Sequence, residues 1–192
     1  TEKPVEFLTL TKEKCRLPEK FILNVGTIEE RKNLLNIVKA IKDTEIPLVV
    51  IGKKTRYFDK VEKFIFRNKM QNQVFFLENV SMQELSAIYQ LAEIFVYPSF
   101  FEGFGIPVIE ALFSKTVTIT SNTSCLPEAG GSDSVYIDPK NYLDLQSKIK
   151  FLWDSESERN RRADKGFEFV QKFNDQVIAE KLMKLYVSVL NS

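Results

Sequence analysis

Two short segments concentrate the side chains of this chain that could do chemistry. In the first, Gly26-Thr27-Ile28-Glu29-Glu30-Arg31-Lys32-Asn33, a guanidinium fork stands beside an ammonium point charge, a pair suited to phosphate oxygens at the start of a helix. Gly26 ahead of them lets backbone approach a ligand closely, with Thr27 next to it. Taken alone, the segment reads more simply as an exposed helix start with incidental charges.

The second segment is Glu102-Gly103-Phe104-Gly105-Ile106-Pro107-Val108-Ile109-Glu110. Glycines before a helix start leave backbone N–H groups free to face an anion, and the helix dipole favours negative charge there. Glu110 falls among Val108, Ile109, Ala111 and Leu112, where an ionised group costs free energy unless it is paired. A carboxylate so placed can accept hydrogen bonds from two vicinal hydroxyls, as an acid does for a ribose in dinucleotide sites. Glu102, in the loop, could face a sugar that develops positive charge. The plainer alternatives are a dipole-stabilising acid at a helix start for Glu110 and a solvated loop acid for Glu102.

Other chemistries find little support. The chain has no His and two Cys, Cys15 and Cys125, without metal-ligand spacing, so no metal site is expected and the thiols read as free in a reducing compartment. Gly-x-Gly-x-x-Gly is missing after the first apolar run, and so is Gly-x-x-x-x-Gly-Lys-Ser/Thr, which weakens the nicotinamide and ATP readings. No apolar stretch approaches the roughly 20 residues that span a bilayer. The net charge of +1 hides a local excess: residues 31–69 hold eleven Lys or Arg against four acids. A phosphorylated ligand, an anionic membrane, nucleic acid or plain solvation would each account for it.

The elements that must position these loops follow from the apolar pattern. With 192 residues, 44% of them apolar, one domain is expected. Phe21–Val25, Pro47–Ile51, Val74–Leu77, Ile94–Tyr97, Thr116–Thr120 and Ser134–Ile137 read as buried strands separated by amphipathic helices. That alternation predicts an α/β fold, a Rossmann-like doubly wound parallel sheet of about six strands. Ser81 with Glu84 has the form of a capping box, and Pro107 suits a first helical turn. Beyond Pro139 the pattern is helical, with Val177, Ile178, Leu182, Leu185, Tyr186 and Val189 expected as the buried face of the last helix. Residues 1–19, polar and without an initial Met, read as a linker from a longer protein, and 20–192 as the folded domain. Both candidate loops leave the carboxyl ends of strands, where such sheets bind ligands, so a shared cleft is expected.

The run from Gly26 to Asn33 resembles the first donor-site loop of glycosyltransferase family 4. Pro98-Ser99-x-x-Glu102 through Glu110-Ala111 resembles its paired-glutamate motif, with seven residues between the acids. Thr120-Ser121-Asn122 and Leu126-Pro127-Glu128 are similar to further family segments, and the resemblance covers about residues 18–191. Lys115, Val117 and Glu78 depart from it, the last where a Gly often precedes the base-binding loop.

The resemblance implies the carboxyl-terminal, nucleotide-sugar-binding half of a GT-B enzyme, inactive without its amino-terminal acceptor domain. It implies that Arg31 and Lys32 bind the donor diphosphate and that Glu102 with the Gly103, Phe104, Gly105 and Ile106 segment approaches the sugar and phosphate. Gly26 and Thr27 would line the donor site, and Glu110 would hold the ribose hydroxyls. Such enzymes transfer a hexose with retention from a GDP- or UDP-linked donor, generally without metal or other cofactor. Mannose is the leading donor sugar, and the acceptor would be a polysaccharide or lipid-linked glycan. The implied location is cytoplasmic, with peripheral membrane association of the full-length protein and no nucleic-acid partner. A non-catalytic sugar-nucleotide-binding module and a dehydrogenase domain are the competing classes.

Overall fold

The computed structural model describes residues 2–190. Thr1, Asn191 and Ser192, which end the two segments read from the sequence, lie outside the described residues. Six strands form one parallel sheet: β1 (Ile22–Val25), β2 (Leu48–Ile51), β3 (Val74–Leu77), β4 (Ile94–Tyr97), β5 (Thr118–Ser121) and β6 (Val135–Ile137), in the order β3-β2-β1-β4-β5-β6. The chain runs outward from β1 to one edge, returns, and continues outward from β4. The topological switch point therefore lies between β1 and β4, and the two candidate loops leave adjacent strands.

Both faces of the sheet are covered, which is why most strands are nearly continuous apolar runs rather than alternating ones, the buried but hydroxyl-rich β5 (Thr118-Ile119-Thr120-Ser121) excepted. On one face Ile22, Leu48, Val50, Ile94, Val96 and Ile119 pack with helices α2 (Leu34–Ile41), α3 (Phe58–Arg67) and α7 (Tyr142–Asp154). On the other, Leu23, Val49, Phe95 and Tyr97 meet α4 (Met82–Leu91), α5 (Ile106–Phe113), the short α6 (Leu126–Gly130) and the end of α8 (Glu156–Val170). The α5–α8 crossing is close because Gly166 carries no side chain; a Cβ there would lie 2.7 Å from Leu112 Cδ2.

Local signals place the helix starts. Ser81 accepts from the Glu84 amide while the Glu84 carboxylate accepts from the Ser81 amide, completing the capping box of α4. Helix α5 begins after Gly105, which is left-handed at φ 87°, with Pro107 in its first turn.

Two segments differ from their sequence reading. Residues 1–19 contain a helix, α1 (Val5–Lys14), that packs on α4, with Lys14 Nζ 2.6 Å from Glu84 Oε1. Its only buried residue is Thr11, so the apolar signal that marks the other helices is missing. The last helix, α9 (Asp175–Leu190), forms, yet contains no buried residue. Ile178, Leu182, Leu185, Tyr186 and Val189, expected inside, are exposed, and Val177 is half-buried. The helix leaves the sheet and rests mainly on the 3₁₀ turn Gln171–Phe173, so its apolar side has no layer to pack against.

Candidate donor site at the switch point

Strands β1 and β4 part at their carboxyl ends. Their ladder pairs Ile22 with Ile94 and Leu23 with Phe95, and goes no further. Beyond it the buried Asn24 side chain takes over, donating from Nδ2 to the Val96 carbonyl at 2.8 Å. A side chain is longer than a backbone ladder bond, so the regular pairing ends there, at the switch point where open α/β sheets offer a crevice to their ligands.

The loop after β1 forms one wall. Gly26 sits at φ 136°, and a Cβ there would come within 2.9 Å of Lys32 Cδ, so the missing side chain leaves Lys32 its path to the crevice. Gly52, at the end of β2, is as constrained, because a Cβ would lie 1.9 Å from the Gly26 carbonyl oxygen. Arg31 and Lys32 fall on a 3₁₀ turn, Glu30–Lys32, ahead of α2. Asn33 ends that turn in the left-handed region at φ 61°, and its buried Nδ2 donates to the carbonyls of Pro98 (3.0 Å) and Pro139 (2.7 Å). One amide thus ties together the loops after β1, β4 and β6.

The loop after β4 supplies the carboxylate. Glu102 Oε1 lies 2.8 Å from Arg31 Nη1, 3.3 Å from Lys32 Nζ, 2.8 Å from the Tyr97 hydroxyl and 2.8 Å from Ser99 Oγ. Lys32 Nζ also donates to the Tyr97 hydroxyl and stands 4.9 Å from that ring's centroid. Arg31 keeps a second carboxylate, Glu29, at 2.7 Å. Burial pushes the Glu102 carboxyl up, but hydrogen bonds from Arg31, Tyr97 and Ser99 and the Lys32 charge outweigh it and hold the group below the usual carboxylate range. Burial first, then the bond to Glu102, pushes the Tyr97 phenol far above its ordinary value. The cluster is an ionised carboxylate shared by two cations and two hydroxyl donors. The loop after β5 steadies it from below, with Ser124 Oγ accepting from the Glu102 amide at 3.2 Å and the Cys125 thiol donating to the Glu102 carbonyl at 3.2 Å.

Arg31, Lys32 and Glu102 are therefore brought together. Gly26 and Thr27 lie half-buried beside them. Gly103 faces open space, Phe104 and Ile106 are exposed, and the Phe104 ring rests edge-on against Phe173. Glu110 belongs to a separate contact, half-buried on α5, with the Tyr89 hydroxyl donating to its Oε2 at 2.9 Å. Among the described residues no group of three or more Cys, Asp or Glu could hold a metal ion, and no helix is long and apolar enough to cross a membrane.

Tyr97, Ser99, Asn24, Asn33 and Tyr89 take part without having been singled out as site residues in the sequence. Tyr97 closes a run read there as a buried strand, and the rings of both tyrosines lie in the core. Their hydroxyl partners depend on which strands are neighbours, which no local spacing reveals. The basic residues of 31–69 are scattered, with two groups among them. Arg31 and Lys32 go to the crevice, while Arg56, Lys60, Lys63 and Arg67 form an exposed stripe along α3 beside a shallow groove at Leu35 and Phe64.

A crevice at this switch point, lined by cations and helix starts, is where open α/β sheets take anionic ligands. The chain shares the strand order of dinucleotide-binding domains but lacks their glycine fingerprint, and comparison with known proteins separates the two. Residues 10–185 match the model of the family described as glycosyl transferases group 1. O-antigen chain mannosyltransferase B of Escherichia coli is 28% identical over 160 residues, covering 80% of this chain and 42% of that protein. O-antigen chain mannosyltransferase RfbU of Salmonella typhimurium is 33% identical over 134 residues, covering 69% of this chain and 38% of that protein. The chain thus spans about two fifths of the length of these relatives. Among solved structures, the carboxyl-terminal domain of a glycosyl transferase group 1 family protein (LpcC) from Francisella tularensis superposes with a TM-score of 0.77 at 24% identity, over 88% of this chain and 93% of that one. The fold is that of a GT-B carboxyl-terminal domain, and with a family match that runs through both walls of the crevice, the chain belongs to the glycosyl transferases group 1.

Proposed function

We propose that this chain is the donor-binding half of a retaining glycosyltransferase of family 4. It transfers a hexose, mannose first among the candidates, from a nucleoside diphosphate sugar to a glycan or lipid-linked acceptor. The observation that carries the reading is the convergence of Arg31 and Lys32 on one crevice from a loop beside β4. As the bond between the anomeric carbon and the phosphate oxygen breaks, its electron pair leaves with the diphosphate, and fixed cations there lower the barrier without reorganising. Glu102 holds both cations at the crevice until the diphosphate takes its place. Glu110 receives the ribose hydroxyls on the carboxylate oxygen that Tyr89 leaves free.

The mannosyltransferase names of the two relatives support the choice of sugar, and their greater length supports a role as one half of a larger enzyme. In that enzyme the acceptor domain excludes water and presents the acceptor hydroxyl, so the isolated half binds nucleotide weakly and transfers nothing. Cations and helix amides neutralise the diphosphate, so the reaction runs without a metal and survives chelator. The α3 stripe gives the full-length protein a cationic face toward an anionic membrane.

The test is turnover of the full-length enzyme with Arg31 and Lys32 both changed to Ala. A fall of more than about a hundredfold is expected. Near-normal turnover would overturn the assignment, and loss of activity in chelator, restored by magnesium or manganese, would overturn its metal independence.

A further inference from the structure

We infer that Tyr89 is the positioning residue for Glu110 and that its hydroxyl sets how strongly this site distinguishes a ribose from a deoxyribose. The inference rests on the ribose role proposed for Glu110. Glutamate has three side-chain torsions, and on a half-buried helix surface it samples several rotamers unless something holds it. Among the described residues, the Tyr89 hydroxyl is the one side-chain group bonded to Glu110, donating to Oε2 at 2.9 Å.

That hydroxyl is itself immobile. Tyr89 is 2% exposed, its ring meets Phe95 edge-on with centroids 5.3 Å apart, and Phe95 in turn stacks on Tyr97 at 5.8 Å. The Tyr89 carbonyl accepts from Thr116 Oγ1 at 2.6 Å, pinning the last turn of α4 to the connection between α5 and β5. A three-ring row through the core therefore ends at one glutamate on each side, Glu110 at Tyr89 and Glu102 at Tyr97. Burial pushes the Tyr89 phenol well above its ordinary value, so it stays protonated and donates to the carboxylate throughout the physiological range.

Anchoring one oxygen stops rotation of the carboxylate and leaves Oε1 as the free acceptor. A preformed acceptor loses less freedom when a hydroxyl arrives, so the gain per hydroxyl is larger. Tyr89 does not touch the ligand in this scheme; it acts through Glu110. Removal of its hydroxyl should weaken recognition of the sugar ring and leave recognition of phosphate alone.

The test is titration of this chain, its Tyr89→Phe variant and its Glu110→Gln variant with GDP, 2′-deoxy-GDP and inorganic pyrophosphate. The unaltered chain should bind the deoxynucleotide about tenfold more weakly, as for one charge-assisted bond. In Tyr89→Phe that ratio should fall to about threefold or less, with pyrophosphate affinity unchanged, because the ring and the core row remain. A wild-type ratio in Tyr89→Phe, beside a lost ratio in Glu110→Gln, overturns the inference and leaves the ribose role standing. A parallel fall in pyrophosphate affinity means that Tyr89 supports the fold alone and also overturns it. Absence of any discrimination in the unaltered chain overturns the inference together with the ribose role.

Discussion

Glu102 Oε1 is crowded: two cations and two hydroxyl groups converge on a single carboxylate oxygen. An anionic ligand entering the crevice competes with that oxygen for Arg31 and Lys32. Changing Glu102 to Gln removes the competing charge, so pyrophosphate should bind the variant several-fold more tightly, by about 1 kcal/mol for a partly exposed pair, while turnover of the full-length enzyme falls. Calorimetric titration reads the first and a steady-state assay the second. Because the carboxyl is held below its usual range, it stays ionised at both pH 6 and pH 8, and the affinity ratio of variant to wild type should be the same at the two. A ratio that collapses at pH 6 would show the carboxyl protonating there. At this scale the sequence was informative about charge and silent about hydroxyls. Arg31, Lys32, Glu102 and Glu110 stand out because they fall in the two segments where glycines and helix starts suit an anionic ligand. Tyr97 and Tyr89 do not, because a buried tyrosine announces a ring and conceals the direction of its oxygen.

Among the elements, α4 shows how a local signal becomes a tertiary one. Its capping glutamate, Glu84, also takes the Lys14 ammonium of α1, and the hydrogen bonds from Lys14 and Ser81 hold its carboxyl down to about 2. A carboxyl with a depressed folded value adds stability that is fully present above its unfolded value, near 4.3, and is lost as pH falls toward 2. Denaturant midpoints measured from pH 7 to pH 2.5 should therefore drop more steeply for the wild type than for Glu84→Gln; identical slopes would remove the linkage. Ser81→Ala should cost about 1 kcal/mol at pH 7, the usual loss for an N-cap. The capping box is legible as Ser-x-x-Glu, but its partner helix is not. Residues 1–19 look like a linker because α1 is mostly exposed and lacks an apolar stripe, and its attachment uses Lys14, a residue that sequence reading assigns to solvent. Gly52 is similar: it reads as a strand terminator, and its contact with the Gly26 carbonyl appears only once β1 and β2 are paired.

For the whole molecule, the strand runs and the connecting helices were readable in order, while the adjacency of β1 and β4 followed only from the doubly wound fold class and the shared cleft expected of it. Parallel pairing is set by how crossover helices cover the two faces, which is a property of the complete sheet. The final helix shows the converse limit: its apolar periodicity predicts a buried face, and among the described residues nothing buries it. Changing Leu182 and Leu185 to Ser should alter stability by no more than about 0.5 kcal/mol each, as for other surface positions. Leu112→Ala, at 1% exposure against Gly166, should cost about 2–5 kcal/mol by the cavity it leaves. Urea unfolding of the three variants checks the contrast, and a large loss from the α9 changes would mean that the helix packs in solution. The open face has a practical consequence for variation. In a library of random variants of this chain, heat resistance and soluble yield would be governed by different residues. Selection for the first would act on the sheet and α5, and selection for the second would enrich polar replacements along residues 178–190 without touching the melting transition.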